Sequence, residues 1–336
     1  MSEPSSILAC DFHREPSAPR KLIIQIPCLD EAETLAVTLA DLPHEVPGFD
    51  IVEWLIIDDG STDATAQVAL EHGVHHVVRH PTNRGLAQAF MTGIDACLRL
   101  DADVIVNTDA DNQYCGYDIP LLTAPVLAGE ADMVIGARPI EDTEHFSWVK
   151  KRLQKLGSWA VRVASTTQVA DAPSGFRALS REAAMRLHVF NAYTYTLETI
   201  IQAGQSNLRV ISVPIRTNGD LRPSRLVKSI TSYVNRSLMT IIRVFVIYRP
   251  LTFFVSIGAV LGLAGLVAGV RFLVFYVVGE GQGHIQSVIL CALFLLSSLL
   301  FVMMGLIGEL IASNRKLLEQ IDMDIRKLYS RMDRKP

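Results

Sequence analysis

Apolar residues cluster along this chain in two distinct rhythms. The first two thirds alternate short β-branched runs with longer segments at helical spacing. Lys21–Pro27, Val52–Ile57, Val74–Arg79, Val104–Thr108, Met133–Gly136 and Leu208–Ile215 read as strands. Between and after them lie predicted helices opening at Asp30–Leu35, at Ala64–Glu71, Gly85–Leu100, Val149–Ser165, Ser180–Leu187 and Tyr195–Ala203. Strands alternating with helices predict an α/β domain with a mainly parallel, Rossmann-like sheet. Ligands of such sheets bind beyond the carboxyl ends of the strands.

The last third follows another rhythm. Leu251–Val270 carries no charge, Arg271 interrupts it, and Phe272–Val278 continues the apolar run. Ile285–Gly308 is a second uncharged stretch. About 20 helical residues cross a hydrocarbon core, so two transmembrane helices are expected. The connecting loop Gly279–His284 holds no Lys or Arg, whereas Arg236, Arg243, Arg249, Arg315, Lys316, Arg326 and Lys327 flank the pair. The positive-inside rule then puts both flanks in the cytoplasm, as a multi-pass anchor in the cell (inner) membrane. Arg271, near the outer end, is expected to snorkel or to face the neighbouring helix.

Leu226–Tyr248 spaces Leu226, Ile230, Val234, Ile241 and Phe245 helically among Lys228, Arg236 and Arg243, which suits a membrane interface. Five segments follow: a disordered arm (1–20), a catalytic α/β domain (21–225), an interfacial helix (226–249), two spans (250–311) and an amphipathic tail (312–336). The arm has no apolar signal-peptide core, so the α/β domain is expected to stay cytoplasmic.

Composition narrows the classes. A net charge of −4 gives no reason to expect nucleic acid. Five cysteines without CxxC or His/Cys pairing argue against zinc or a disulfide framework.

Polar motifs fall at the strand ends. Asp109-Ala110-Asp111-Asn112-Gln113 follows the fourth run, and paired carboxylates there suit Mg²⁺ or Mn²⁺ held against a diphosphate. An acidic turn is the plainer alternative. Asp58-Asp59-Gly60-Ser61-x-Asp63 closes the second strand; its carboxylates would repel phosphate but suit ribose hydroxyls and base N–H groups. Asp63 is expected to cap the next helix while Asp58 and Asp59 point to the ligand. Asn83-Arg84-Gly85-Leu86-Ala87 opens a helix whose small face packs on the sheet and leaves Arg84 free for a phosphate or ribose.

Taken in order, Ile26-Pro27-x-x-Asp30-Glu31, Asp58-Asp59-Gly60-Ser61-x-Asp63, Asp109-x-Asp111-x-Gln113, Gly136-x-Arg138 and Ser174-Gly175-Phe176-Arg177 resemble the family 2 glycosyltransferases of GT-A fold. The likeness is to their dolichol-phosphate mannose synthase-like, polyprenyl-phosphate group. It covers about Lys21–Thr217, and the two-helix anchor is similar to that of the membrane-bound members. The resemblance implies a metal-dependent, inverting hexosyltransferase that moves sugar from a GDP- or UDP-linked donor to a polyprenyl (undecaprenyl or dolichyl) phosphate. It implies metal ligands Asp109, Asp111 and Gln113. A donor pocket would be lined by Pro27, Leu29, Glu31, Asp58, Asp59, Arg84 and Ala110. Arg138, Ser174 and Arg177 would lie near the phosphates, with Asp109, Asp111, Arg138 and Arg177 catalytic. Arg222, Ser224, Arg225 and Lys228 would hold the lipid headgroup, for which generic attraction to anionic lipid is the alternative. Glu198 aligns with an acidic residue of the group, either lining the pocket or paired structurally. Leu29 stands where the family usually has Tyr, which removes a stacking face for the nucleobase and leaves the base open.

Two other readings compete. A polysaccharide or glycolipid hydroxyl acceptor would demand a committed base, and the Gln-x-x-Arg-Trp motif of processive synthases is absent from the sequence. An inactive nucleotide-sugar-binding adaptor would have no need of the acidic triplet. A homo-oligomer is left open, as are the sugar and the isoprenoid length.

Overall fold

The computed structural model describes residues 19–139, 167, 169–189, 195–219, 239, 242–279 and 281–332. The arm to residue 18, the helix expected at 149–165 and most of the expected interfacial helix lie outside them.

The strands are β1 (Lys21–Cys28), β2 (Ile51–Asp58), β3 (His76–Arg79), β4 (Val104–Asn107), β5 (Met133–Ala137), β6 (Arg177–Ser180) and β7 (Val210–Pro214). They form one sheet in the order β3-β2-β1-β4-β6-β5-β7. β1 pairs in parallel with β2 and β4, β2 with β3, and β5 with β7. β6 runs antiparallel between β4 and β5, so the sheet is mixed at that point.

Seven of the eight residues of β1 are buried because the strand is covered on both faces. Leu22, Ile24 and Ile26 enter one core with Trp54, Ile56, Val104 and Val106. Ile23 enters the other with Leu55, Ile57, Phe90 and Ile105. Each such side chain contributes about 1.5–3 kcal/mol on burial, which makes β1 the keystone of the sheet. Helices α1 (Ala32–Asp41), α2 (Thr65–Glu71) and α4 (Ile119–Leu127) cover the first face. Helices α3 (Leu86–Arg99), α5 (Arg181–Arg186) and α6 (Thr196–Gln205) cover the second.

Val244 and Tyr248 join that second core, so the chain is fastened to the domain just before it leaves it. Then come α7 (Pro250–Val277) and α8 (Ile285–Met332). Both are long and apolar enough to cross a membrane, with 11% and 6% of their most apolar windows buried. Apolar side chains so exposed suit lipid rather than a protein core. The two helices pack through small residues: a Cβ on Gly258 or Gly265 would meet α8 at 3.1 Å, and Ser298 Oγ donates to the Gly258 carbonyl at 2.7 Å. α8 runs unbroken from the apolar stretch into the charged tail, so that tail continues the second span instead of forming a separate element.

Candidate active site

The site is assembled at the carboxyl ends of β1, β2 and β4. Its first wall is a pair of loops stitched together by side chains. The Asp30 N–H donates to Ser61 Oγ at 3.0 Å, and Asp30, at φ 52°, accepts from the Thr62 N–H at 2.8 Å. The Glu31 N–H donates to Thr65 Oγ1 at 2.9 Å. The N-cap of α2 is Ala64, not Asp63 as expected; Asp63, one residue earlier, accepts from the Thr65 N–H at 2.9 Å and from the Ala32 N–H at 3.0 Å. Gly60, at φ +79°, lies on the next loop: a Cβ there would stand 2.6 Å from the Thr82 carbonyl carbon. Pro27 is buried at this wall, Leu29 and Glu31 are half-buried, and Arg84 is exposed at its rim.

The two aspartates at the end of β2 are held by neighbouring groups. Asp58 is fully buried; it accepts from the Ser61 N–H at 2.8 Å and pairs with Arg79 at 3.1 Å. Asp59 accepts from the Arg84 and Gly85 N–H groups at 2.9 and 2.8 Å and from His80 Nδ1 at 2.7 Å. Both carboxylates shape the loops by accepting from backbone and basic groups.

β4 delivers the acidic triplet. Asp109 is partly exposed at the end of the strand, and burial together with the Asp111 carboxylate pushes it up to about 7, against the pull of Arg138 and Arg177. Asp111 accepts from the Gln113 N–H at 3.1 Å, and the Ala110 carbonyl is held by Thr38 Oγ1 at 2.9 Å. Two like charges a residue apart, one forced toward its neutral form, form a site whose strain a divalent cation relieves. Their hard oxygens fit Mg²⁺ or Mn²⁺. Among the described residues no group of three His, Cys, Asp or Glu completes a cage, so a bound diphosphate would have to supply further oxygens. Gln113 Oε1 accepts from Arg138 Nη1 at 3.4 Å.

Behind Asp109 runs a buried polar relay that the sequence did not announce. Gln25 donates to Asn107 Oδ1 at 2.9 Å, and Asn107 donates to the Gly175 carbonyl and to Tyr195 Oη, each at 2.9 Å. The Gly175 N–H donates to Tyr114 Oη at 2.9 Å. A Cβ at Gly175 would come within 3.0 Å of both Asp109 oxygens, so glycine is required for the chain to lie against that carboxylate. Tyr195 stacks on Phe90 with centroids 3.9 Å apart. A lone Gln in an apolar strand was the available clue.

Both arginines expected near the phosphates are bonded to protein groups. Arg177 is fully buried, donating to the Ser174 and Ala172 carbonyls at 2.8 and 2.9 Å and to Thr199 Oγ1 at 2.6 Å. It braces the entry to β6 through these bonds. Arg138 forms a bidentate pair with Asp171 at 2.7 and 3.1 Å, leaving only its Gln113 side toward the acidic triplet. Ser174 is buried beneath it. Glu198 lies half-buried in the first turn of α6, where a carboxylate complements the helix dipole. Arg222, Ser224, Arg225 and Lys228 lie outside the described residues.

The chain approaching those four residues is tied to the acidic loop. Arg216 pairs with Asp118 through a 2.9 Å bond from Nε, Thr217 bridges Tyr114, and the Asn218 N–H donates to the Gln113 carbonyl at 2.9 Å.

A mixed sheet with stitched β1 and β2 loops and an aspartate pair at the end of β4 defines a GT-A glycosyltransferase. The chain matches the description "Glycosyl transferase family 2" over residues 23–187. It is 32% identical to an uncharacterized glycosyltransferase of Mycobacterium bovis, over 60% of this chain and 88% of that one. It is 28% identical to the polyprenol monophosphomannose synthase of Mycolicibacterium smegmatis, over 58% and 77%. Among solved structures, it is similar to the glucosyl-3-phosphoglycerate synthase of Mycobacterium tuberculosis in complex with Mn²⁺, UDP and phosphoglyceric acid. That likeness has a TM-score of 0.51 and 21% identity, over 66% of this chain and 78% of the other. The chain belongs to glycosyl transferase family 2.

Proposed function

We propose that the protein transfers a sugar, with inversion, from a nucleoside diphosphate donor to a polyprenyl phosphate at the cytoplasmic face of a membrane. The observation that carries this reading is the Asp109–Asp111 pair in a chain that continues into two long apolar helices. A named relative that makes a polyprenyl-linked mannose supports the acceptor class.

Asp109 and Asp111 would hold Mg²⁺ or Mn²⁺, which when bound offsets charge on a departing nucleoside diphosphate. The β1 and β2 loops form a rigid wall suited to a nucleoside, GDP- or UDP-linked. Basic groups that would serve the anions include Arg84 at the rim and, ahead of the anchor in the sequence, Arg222, Arg225 and Lys228, with Ser224 among them. The Asn218 tie brings the chain entering that segment next to the acidic loop. A phosphate monoester is already largely ionised at neutral pH, its second pKa being about 6. Such a nucleophile needs no committed base, and the relay behind Asp109 supplies none: its members bond one another. Attack at the anomeric carbon opposite the leaving diphosphate inverts that centre.

The test is a panel of nucleotide sugars offered to the detergent-purified full chain with polyprenyl phosphate and Mn²⁺. One donor should yield a lipid-linked sugar, and Asp109→Ala should abolish it. Failure of every donor with folded protein refutes the reading.

A further inference from the structure

Beyond Gly308 the exposed side of α8 carries a seven-residue repeat. Ile311, Asn314, Leu318, Ile321, Ile325, Leu328 and Met332 follow one another at alternating intervals of three and four. That is the a/d pattern of a left-handed coiled coil, with one polar layer at Asn314. Ile311, Leu318, Ile321 and Ile325 are 65%, 64%, 56% and 43% exposed, and Leu317 beside them is 59% exposed.

The protein's own domain does not cover this stripe. The side of α8 that faces the domain is another one. There Arg315 lies over the Tyr248 ring at 4.3 Å, and Ala312 and Met323 are partly covered. At 100° per residue Ala312 and Met323 fall on the far side of the helix from the a/d stripe, and Arg315 lies at its margin beside Ile311. Nor does a bilayer cover the distal part of the stripe, because the candidate span ends at Arg315. α8 is continuous from Ile285 to Met332, so its axis carries the tail away from the span. At 1.5 Å per residue Ile325 stands about 25 Å beyond Gly308.

We infer that the α8 tail docks in parallel against the same tail of a second copy of this chain, through Ile311, Leu318, Ile321 and Ile325 with Leu317 beside them. An a/d stripe is self-complementary in a parallel pair, and Asn314, at d, meets its own counterpart. Five side chains exposed to this extent offer roughly 500 Å² per copy, or about 1,000 Å² across the pair, the lower end of specific interfaces. Three heptads are short for an isolated coiled coil, but spans in one bilayer hold the tails side by side and raise their effective concentration. The inference rests on the reading of α7 and α8 as membrane spans.

Oxidative cross-linking in native membranes tests it. Single cysteines are placed in the full chain at a or d positions (Leu318→Cys, Ile321→Cys, Ile325→Cys) and at exposed c positions (Ser313→Cys, Gln320→Cys). The unmodified chain reports any background from Cys291. The a and d variants should give a band of twice the chain's mass at least fivefold stronger than the c variants. Equal cross-linking at all positions, none above background, or a partner of another mass overturns the inference. Carbonate extraction of the same membranes reports on the spans separately: a chain released by carbonate refutes the spans, whatever the cross-linking pattern.

Discussion

Replacing Asp109 by Asn should make the metal-free protein more stable while destroying its activity. In the fold the Asp109 carboxyl is pushed up to about 7 by burial and by Asp111. Its folded value lies above the unfolded one, so the native state holds an extra proton between about pH 4 and pH 7. Stability of the metal-free chain therefore falls as pH rises through that window and levels off above it. A shift of about three units corresponds to at most ~4 kcal/mol, and solvent reaching the partly exposed carboxylate reduces this to about 2 kcal/mol. Asn is close in size and carries no charge, so at pH 8 with chelator Asp109→Asn should unfold about 4–8 °C above the parent, at ~2–4 °C per kcal/mol. At pH 4 the two should coincide. Mn²⁺ should raise the parent's transition and leave the variant's unchanged, because binding to the native state alone stabilises it. The assay is thermal unfolding of the full chain in detergent at both pH values, with chelator or with cation. A variant less stable than the parent at pH 8 without cation would refute the reasoning, as would a difference independent of pH.

Other outcomes follow from the same contacts. Arg177→Met should cost about 3 kcal/mol by leaving two buried carbonyls unpaired, while the folded fraction keeps its donor KM within about twofold; a large KM change would mean that Arg177 touches substrate. Gly60→Ala should cost about 2 kcal/mol or more, since it combines φ +79° with a contact of 2.6 Å to backbone, and chemical denaturation would read it. Gly265→Leu should loosen the α7–α8 hairpin, whose Leu295 stands 3.1 Å from the new Cβ, and lower the unfolding temperature in micelles.

The sheet was legible where burial leaves a continuous apolar signature. β1, β2 and β4 were read to within a residue or two because both faces of each are covered. β6 escaped because four residues beginning with Arg give no periodicity. Only its place between β4 and β5, with Arg177 buried on backbone carbonyls, makes it a strand. The same limit governed the site. Asp109 and Asp111 were recognisable by position, yet Asp58 and Asp59 carry the same chemistry at the same kind of place. What separates the pairs is the direction of neighbouring N–H groups, a property of folded loops. Arg138 and Arg177 looked alike as phosphate ligands until Asp171 and the Ser174 carbonyl took their donors.

The most direct test of the central claim is acceptor choice. The full chain, its preferred nucleotide sugar and Mn²⁺ are incubated in parallel with a polyprenyl phosphate and with the corresponding polyprenol, and lipid-linked sugar is counted. An ionised phosphate nucleophile in a site without a committed base predicts product from the phosphate alone, and none once the cation is chelated. Equal or greater transfer to the alcohol would contradict the account.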